Sequence, residues 1–563
     1  MTAGADATPA RRPLRALVLF LLGSAVFSVA YCQAPLYYSN QNQYFLHGLA
    51  NADDGLLRED WLARTRDPTP VFSTLVTWTV RYLHPWAFYL YHGLILGVYA
   101  AAMLGLFRFL VDGTIAARRW PLFIAVFVAV HSALARWYSY RWFGEDYPWF
   151  CQAGVAGQYV LGGYLQPSAF GVLLVVAVCL FVRGRCYSAA LSTALAATFH
   201  PSYLLPAGLL TFGFLAALLA EGRSREALRA GALALGLVAP VMIHIVLVFG
   251  PNSAATFAEA QDVLVNLRIP HHSRPDRWLD VVAACQIGWI VLALALVRRT
   301  RLFLVLAVPF VLSLLLTLAQ VATASHTLAL LFPWRISAVL VPIATTVVLS
   351  KFVTTLRSET AVPWLIAVPS VVVLVAAGVW ISVKGLAFQS GEEELAVMEF
   401  VGRTKMPGDV YCLPVNISVK KTRGSLSTDF QPLSDRRRDA RGIPVDLQRF
   451  RLTSGAPIYV DFKAIPYRDT EVLEWRNRIH LTQRVQHWLG AGWIYQPLAL
   501  ADLRDQGITH LVLPVGIGEI RWGCERVYED AYYRVYRCWP SGKPNAVVAE
   551  PRRGLTTAGA ALH

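Results

Sequence analysis

Acidic and amide side chains are concentrated in residues 39–72, a polar stretch that follows the first apolar run of the sequence. Among the acids, Asp53, Asp54 and Asp60 could accept a proton from an attacking hydroxyl group, as a general base does. The adjacent carboxylates of Asp53 and Asp54 repel each other, so one pKa is expected to rise towards a useful value. The same residues can equally form a solvated turn, and Asp60 can equally be an acid on a helix surface.

Other polar residues could bind a sugar or a phosphate. Amide side chains could bind sugar hydroxyl groups, or they could cap helices. The aromatic neighbours of an acidic pair could hold sugar rings, or they could form an aromatic belt at the membrane interface. An arginine at the mouth of an apolar run could pair with a lipid phosphate, or it could snorkel to the surface. Histidines could line that mouth or bind an anion, although most histidines are structural. The candidate binding residues are Asn40, Gln43, Glu145, Asp146, His200, His271, His326 and Arg335.

Metal and cofactor sites leave no spacing signature in this sequence. It contains neither paired C-x-x-C motifs nor H-E-x-x-H, the spacings that zinc sites commonly use. The chemistry of the acidic loop therefore implies no cofactor, and a divalent cation stays an open alternative.

The elements that would position these residues are apolar. The chain has 563 residues, of which 55% are hydrophobic and only 15% are charged, whereas soluble proteins carry about 25% charged residues. We therefore predict a polytopic α-helical membrane protein with about eleven transmembrane helices. The predicted spans are 14–32, 86–111, 120–138, 166–182, 187–199, 203–220, 230–250, 280–298, 302–322, 336–353 and 363–383.

Charge at the ends of the apolar runs predicts the orientation. The net charge of +15 could indicate nucleic-acid binding, but arginine recurs in short loops on one side of the predicted spans, as the positive-inside rule expects. We therefore expect no nucleic-acid partner. The chain should be a multi-pass protein of the cell inner (plasma) membrane, with a cytoplasmic N-terminus and an extracytoplasmic C-terminal domain. The first apolar run is long and lacks a cleavage site, which favours a retained span over a signal peptide.

The predicted domains are a cytoplasmic segment 1–13, a transmembrane domain 14–383 with a long first outer loop 33–85, an extracytoplasmic α/β domain 384–542 and a disordered tail 543–563. Residues 71–83 predict a helix in the membrane interface, or the outer part of a long second span. In the α/β domain we predict helices at 392–403, 471–489 and 498–506, strands at 409–413, 457–461 and 510–513, and a hairpin at 524–538.

Two cysteines flank the predicted hairpin. If the turn lies near Ala531, Cys524 and Cys538 face each other and could form a disulfide in an oxidising compartment, or they could remain free thiols. Most of the other cysteines lie in or beside apolar runs and are expected to be inert.

The order of these features resembles the membrane glycosyltransferases of the GT-C fold. That family carries an acidic outer loop after its first span, and then an amphipathic segment, a tryptophan-containing stretch and a proline motif. Residues 44–49, 59–62 and 68–72 of this chain stand in the corresponding places. One departure concerns residues 39–43, because the early acidic pair of the family is replaced there by Ser-Asn-Gln-Asn-Gln, and an amide cannot accept a proton.

The resemblance implies a glycosyltransferase that moves a sugar from a polyprenyl-phosphate-linked donor to an envelope acceptor, which could be a glycan, a lipid or a protein. Membrane lipid would be a second partner. A transporter or flippase of lipid-linked or small polar solutes is an alternative, favoured by the missing early acid and disfavoured by the few charges within the spans. A non-catalytic membrane scaffold that binds a partner through the basic stretch 420–441 is another.

Overall fold

The computed structural model of the protein describes residues 11–111, 113–356, 362–388, 392–413, 415 and 449–539. Helices dominate these residues, and a small sheet forms near the C-terminal end. The predicted basic loop 420–441, the predicted disordered tail 543–563 and most of the segment 1–13 lie outside the described residues.

Eight helices of the described chain are long and apolar enough to cross a bilayer, so the protein is a helical membrane protein. They are Pro13–Tyr31, Ala87–Leu110, Gly113–His131, Pro201–Ala220, Ser224–Phe249, Leu302–Thr323, His326–Thr355 and Trp364–Val383. Three shorter apolar helices, Pro167–Val182, Cys186–Phe199 and Val281–Val297, lie where three further spans were predicted. Their crossing of the membrane stays a prediction.

The helices in the first part of the chain follow the predicted apolar runs, with short helices in the loops between them. In chain order they are α1 (Arg11–Tyr31), α2 (Gln41–Tyr44), α3 (Leu46–Asn51), α4 (Pro70–Tyr82), α5 (Ala87–Leu110), α6 (Gly113–His131), α7 (Ala133–Phe143), α8 (Tyr147–Phe150), α9 (Val172–Val182), α10 (Cys186–Phe199), α11 (Leu204–Ala220) and α12 (Ser224–Phe249).

The second part completes the bundle and adds short helices in two connecting loops. These helices are α13 (Ala254–Asp262), α14 (Pro270–Ser273), α15 (Pro275–Trp278), α16 (Val281–Val297), α17 (Leu302–Thr323), α18 (His326–Leu330), α19 (Ser337–Thr355) and α20 (Val362–Val383). Helix α19 is the most deeply buried of the candidate spans, so it forms the centre of the bundle.

The predicted third span, 120–138, is wrong at its C-terminal end. Helix α6 ends at His131, and the hydroxyl of Ser132 accepts a hydrogen bond from the backbone N–H of Ala135 at 3.1 Å. A serine in this position caps the start of a new helix. The apolar pattern continues across this break, which is why composition alone extends the span.

The first loop after α1 folds back on itself through the pair α3 and α4. A Cβ atom on Gly48 would lie 2.5 Å from the Cβ atom of Val76, so the absence of a side chain at Gly48 permits the close approach of the two helices. The predicted helix at 71–83 is confirmed. The alternative of one long second span is wrong, because Leu83 is extended between α4 and α5.

The tail forms the predicted small α/β domain. Helices α21 (Glu392–Thr404), α22 (Phe450–Ser454), α23 (Asp469–Ala491) and α24 (Gln496–Asp505) pack around strands β1 (Tyr411–Cys412), β2 (His510–Pro514), β3 (Glu525–Glu529) and β4 (Tyr533–Arg537). The sheet order is β1-β2-β4-β3, in which β1 pairs with β2 in parallel and the other pairs are antiparallel.

The strand predicted at 457–461 is reduced to one bridge, between Tyr411 and Ile458. The chain turns immediately afterwards, because the Asp461 carboxylate accepts a hydrogen bond from the backbone N–H of Ala464 at 2.6 Å. A local side-chain bond of this kind competes with a strand ladder.

The tail domain is not independent of the bundle. Its largest apolar core also contains Ala260 of α13, with Val263 and Leu264 directly after it, and Trp61 of the first loop packs against this core. Burial of apolar surface between these segments fixes the tail over one end of the bundle.

The predicted hairpin at 524–538 is present, and Cys524 and Cys538 form a disulfide across it. The other six cysteines of the chain are free thiols. Thiol counting checks this arrangement. We expect six cysteines of the unreduced, denatured protein to react with a maleimide and all eight to react after reduction.

A Cys524→Ser variant is the matched control for that count. It should gain the thiol of Cys538 in the unreduced state, so its reactive thiols should not change in number on reduction. Eight reactive thiols in the unreduced wild-type protein would contradict the disulfide.

Candidate functional site

Asp60 is fully buried, and both of its carboxylate oxygens accept hydrogen bonds from the protein. Its Oδ2 accepts hydrogen bonds from Nε of Arg451 at 2.8 Å and from the backbone N–H of Ile458 at 2.9 Å, and its Oδ1 accepts one from the backbone N–H of Leu62 at 2.9 Å. These contacts give Asp60 a structural role between the first loop and the tail domain. Its role as a catalytic base stays a prediction.

Arg451 lies between two carboxylates. Its Nη1 is 3.2 Å from Oδ2 of Asp461, while its Nε contacts Asp60. All three side chains are buried or nearly so. The Asp60–Arg451–Asp461 network therefore joins the first loop to the tail domain by charge as well as by apolar contact.

Asp53 and Asp54 lie in a turn at the edge of this junction. The side chain of Asp53 is 59% exposed, with its carboxylate 2.7 Å from Arg58 and 3.8 Å from Arg81. Burial raises the pKa of Asp54, and the nearby Lys405 ammonium group opposes that rise. Asp53 is thus the acid of a solvated turn, which was the alternative interpretation. Among the described residues, neither Asp53 nor Asp54 forms an ion pair with Arg335.

The predicted amides separate into two environments. Gln43 donates from Nε2 to the backbone carbonyl of Ile465 at 3.1 Å and to the hydroxyl of Tyr467 at 3.0 Å, so it fastens the loop to the tail domain. Asn40 occupies the N-cap position of α2, but its side chain makes no capping bond.

Arg335 is the centre of a polar cluster at the tail end of the bundle. Its Nη1 donates to Oε1 of Gln158 at 2.9 Å, and its guanidinium group lies 4.9 Å from the centre of the Tyr203 ring. The ring of His200 is 5.5 Å from that of Tyr203 and 5.6 Å from that of Tyr44. The tight turn between α10 and α11 therefore places His200 near Arg335, with Tyr203 as their shared neighbour.

Arg268 approaches the same place from the segment that follows α13. Residues Val263–Arg268 form a π-helix, a geometry that often marks functional sites. The Arg268 guanidinium group donates to the backbone carbonyl of Lys463, and the Lys463 ammonium group donates to the hydroxyl of Ser39. Burial and Tyr467 raise the pKa of Tyr44, while the charges of Arg335 and Arg268 act in the opposite direction. The charges of both arginines therefore act on Tyr44.

Two neighbouring histidines, His271 and His272, lie beside this positive region and act in it as neutral hydrogen-bonding groups. Their ring centroids are 4.1 Å apart, and Nδ1 of His272 is 2.6 Å from the backbone carbonyl of Ala156. Burial, together with the charges of Arg268 and Lys463, lowers the pKa of His271 to about 4. His271 is therefore neutral at pH 7 and can donate or accept a hydrogen bond.

Several nitrogen atoms in this region have no hydrogen-bond partner among the described residues. They are Nε of Arg268, Nε of Arg335 and Nδ1 of His200, and all three are buried. Buried polar atoms are nearly always satisfied, so these nitrogen atoms are available for hydrogen bonds to a bound group. We call Arg268, Arg335, Lys463, His200, His271 and His272 the basic cluster.

Glu145 and Asp146 lie elsewhere. Oδ2 of Asp146 is 2.8 Å from Nε of Arg136, both side chains are buried, and the guanidinium group covers the ring of Trp149. The carboxylate also caps the backbone N–H of Trp149. Asp146 thus forms a buried ion pair with Arg136, and its role in substrate binding stays a prediction.

Glu145 lies next to Asp146 but is only partly buried. Burial, Asp146 and Asp280 together raise its pKa. A crevice that includes Trp149, Trp278 and Asp280 lies beside it. His326 is also separate, because it starts α18 and makes no hydrogen bond or ion pair with the basic cluster among the described residues.

Two candidate functional residues, Lys463 and His47, were not identified from sequence patterns. Lys463 is 424 positions from its partner Ser39, so their contact cannot be read from local spacing. His47 lies within the stretch that resembles an amphipathic segment. It lines a crevice with Gln43 and Tyr44 between the first loop and the tail domain. Its environment depends on contacts with the tail domain, which the local sequence does not show.

The chemistry of the basic cluster is that of an anion site. Across the described ranges, no group of three or more His, Cys, Asp or Glu side chains is arranged to hold a metal ion. Guanidinium and ammonium groups instead favour phosphate or carboxylate ligands.

A comparison with protein families finds a match in the tail. The model of a domain of unknown function, DUF6798, matches residues 441–482, which include Arg451, Asp461 and Lys463. No curated protein matches the chain. The match describes a segment that carries both the buried ion network and part of the basic cluster.

Two single substitutions compare the buried Asp60 with the exposed Asp53. Asp60→Asn leaves Arg451 short of one buried partner, so the free energy of unfolding should fall by about 3–5 kcal/mol. Asp53→Asn, at an exposed position of the same loop, should change it by less than about 0.5 kcal/mol. Thermal unfolding of the two purified variants measures both effects, and equal melting temperatures would show that the buried pair is not structural.

Proposed function

We propose that the protein is a membrane glycosyltransferase that takes a sugar from a polyprenyl-phosphate-linked donor and transfers it to an envelope acceptor on the extracytoplasmic face. The observation that supports this proposal best is the basic cluster at the tail end of the bundle. A departing lipid phosphate needs cationic donors fixed in advance, and such donors are most effective in a partly dehydrated site. Arg268 and Arg335 have buried N–H groups available for that purpose.

The proposed orientation follows from charge at the opposite end of the bundle. Arg223 pairs with Glu221 and Glu226 at 2.9 and 2.6 Å, and Arg301 pairs with Glu221 at 2.7 Å, which ties α11, α12 and α17 together there. Short basic connections of this kind favour the cytoplasmic side. With eleven crossings, the basic cluster and the tail domain would both be extracytoplasmic.

A lipid chain also needs a lateral route to the cluster. The buried residues of α12 are Ala227, Ala230 and Ala234, all in its first half. Its second half exposes large apolar side chains, including Val246 at 70% and Leu247 at 77%. A helix that leaves the bundle in this way offers apolar surface for a polyprenyl chain beside α11, the helix that starts next to His200.

The position of the family's early acid remains a departure. Residues 39–43 lack a carboxylate, and Ser39 is bonded to Lys463. The Asp60 carboxylate is paired with the Arg451 guanidinium group. The proposed reaction therefore draws its proton acceptor from a different residue of the first loop.

Binding of polyprenyl phosphate to the purified protein in nanodiscs tests the proposal. Each charge-assisted hydrogen bond contributes about 1.5–3 kcal/mol, so Arg335→Gln and Arg268→Gln should each weaken binding by roughly 10- to 150-fold. Arg277→Gln is the matched control, because Arg277 is an exposed arginine of the same loop as Arg268 and pairs with Asp276. Equal affinities of all four proteins would contradict the phosphate site, and transport of the lipid without a covalent product would favour the transporter alternative.

Reporter fusions test the orientation. An alkaline phosphatase fused after Lys384 should be active, because that position would be extracytoplasmic, and one fused after Arg223 should be inactive. The reverse pattern would place the cluster on the cytoplasmic face and contradict the proposed site of reaction.

A further inference from the structure

A crevice at the junction of the first loop and the tail domain contains an imidazole that the phosphate site does not use. His47 of α3 lines it, and the other lining residues are Gln43, Tyr44, Leu62, Thr65, Arg66, Pro68, Thr69, Ile465 and Pro466. The crevice is narrow and opens to solvent. It has room for a single hydroxyl group at one end of a larger acceptor, not for a whole sugar.

The surroundings of His47 favour its neutral form. Burial lowers the pKa of the imidazole, while the Asp67 carboxylate and the backbone carbonyl of Ala63 act in the opposite direction. Asp67 is itself held, because its Oδ1 accepts from the backbone N–H of Thr69 at 2.8 Å. A neutral imidazole whose one nitrogen donates has a lone pair on the other nitrogen.

The crevice and the basic cluster meet at one residue. Tyr44 lines the crevice, and its ring is 5.6 Å from that of His200 in the cluster. The charges of Arg335 and Arg268 also reach Tyr44. A sugar beside Tyr44 would therefore have its phosphate near the arginines and an incoming hydroxyl group near His47.

We propose that His47 is the proton acceptor of the sugar transfer and that the crevice holds the acceptor hydroxyl group. This inference rests on the proposed glycosyl transfer. In the step, the acceptor oxygen forms a bond to the anomeric carbon while the bond from that carbon to the phosphate oxygen breaks. The hydroxyl proton passes to the free nitrogen of His47, and the electron pair leaves with the lipid phosphate towards the basic cluster.

In this position an imidazole can act as the general base in place of a carboxylate. A general base works best when its pKa is near the operating pH, and histidine meets that condition more closely than a solvated carboxylate. The early carboxylate is absent at residues 39–43, and Asp60 is enclosed by its partners. His47 supplies the missing proton acceptor from the next helix of the same loop.

The charged groups around His47 predict the effect of pH. Burial lowers the pKa of His47 below its ordinary 6.5, Asp67 and Asp60 oppose that change, and Arg451 adds to it; Arg66 also lines the crevice. The base must be neutral, so the rate is lost as the pH falls through the pKa of His47. Because that pKa lies below 6.5, activity should persist at mildly acid pH.

The experiment uses the full chain in nanodiscs, polyprenyl-phosphate-linked pentoses and hexoses as donors, and envelope membranes from cells that lack the gene as acceptor. His47→Gln should lower the transfer rate by about 100-fold or more while polyprenyl phosphate still binds as in the wild type. His480→Gln, at an exposed histidine of α23, is the matched control and should be unchanged.

Asp67→Asn keeps the imidazole and tests its role through pH. Removal of the carboxylate lowers the pKa of His47 further, so the acid limb of the rate should shift to lower pH. A merely structural His47 would not move that limb. Transfer by His47→Gln at the wild-type rate, or an acid limb unmoved in Asp67→Asn, would overturn the role of His47 alone. Absence of transfer or of polyprenyl-phosphate binding in the wild type would overturn the proposed function as well.

Discussion

The buried Asp60–Arg451–Asp461 network is the constraint on which the rest of the junction depends. Two carboxylates and one guanidinium group are removed from water there, and their removal costs several kcal/mol per ion unless the geometry compensates. Compensation comes from backbone N–H groups at Leu62, Ile458 and Ala464. Removal of one partner would leave a buried charge uncompensated, so the network favours the docking geometry in which all three side chains meet.

That docking geometry determines which side chains meet. Once Asp461 is held by Arg451, the next residues bring Lys463 to Ser39 and the carbonyl of Ile465 to Gln43. The crevice of His47 is then closed on one side by Ile465 and Pro466. The tail domain is thus a wall of the candidate site, and the segment matched by the domain of unknown function is the part that forms this wall.

Much of the fold could be predicted from local pattern. Apolar runs identified the helices of the bundle, alternation identified the hairpin at 524–538, and the tight loop at His200 placed that residue at the same end as Arg335. These features depend on residues close in sequence. The helix break at Ser132 was missed because a single capping hydroxyl overrides an apolar pattern that continues past it.

The roles of the acidic residues could not be predicted from local pattern. Asp60 looks like a surface acid until Arg451 is brought to it from 391 positions away, and Asp146 is taken by Arg136 through a turn of the chain between α7 and α8. Whether a carboxylate is a base or a structural anchor depends on its partners, and the sequence does not state long-range partners. The position of His47 could not be predicted either, because the crevice that it lines forms only when the tail domain packs on the first loop.

The most direct measurement is an experimental structure of the full chain in a lipid nanodisc with polyprenyl phosphate bound. We expect the phosphate within hydrogen-bonding distance of the Arg268 and Arg335 guanidinium groups, with Asp60 still paired to Arg451 and the imidazole of His47 open to the crevice. A phosphate bound away from both arginines, or Asp60 released from Arg451 to face the ligand, would contradict the account.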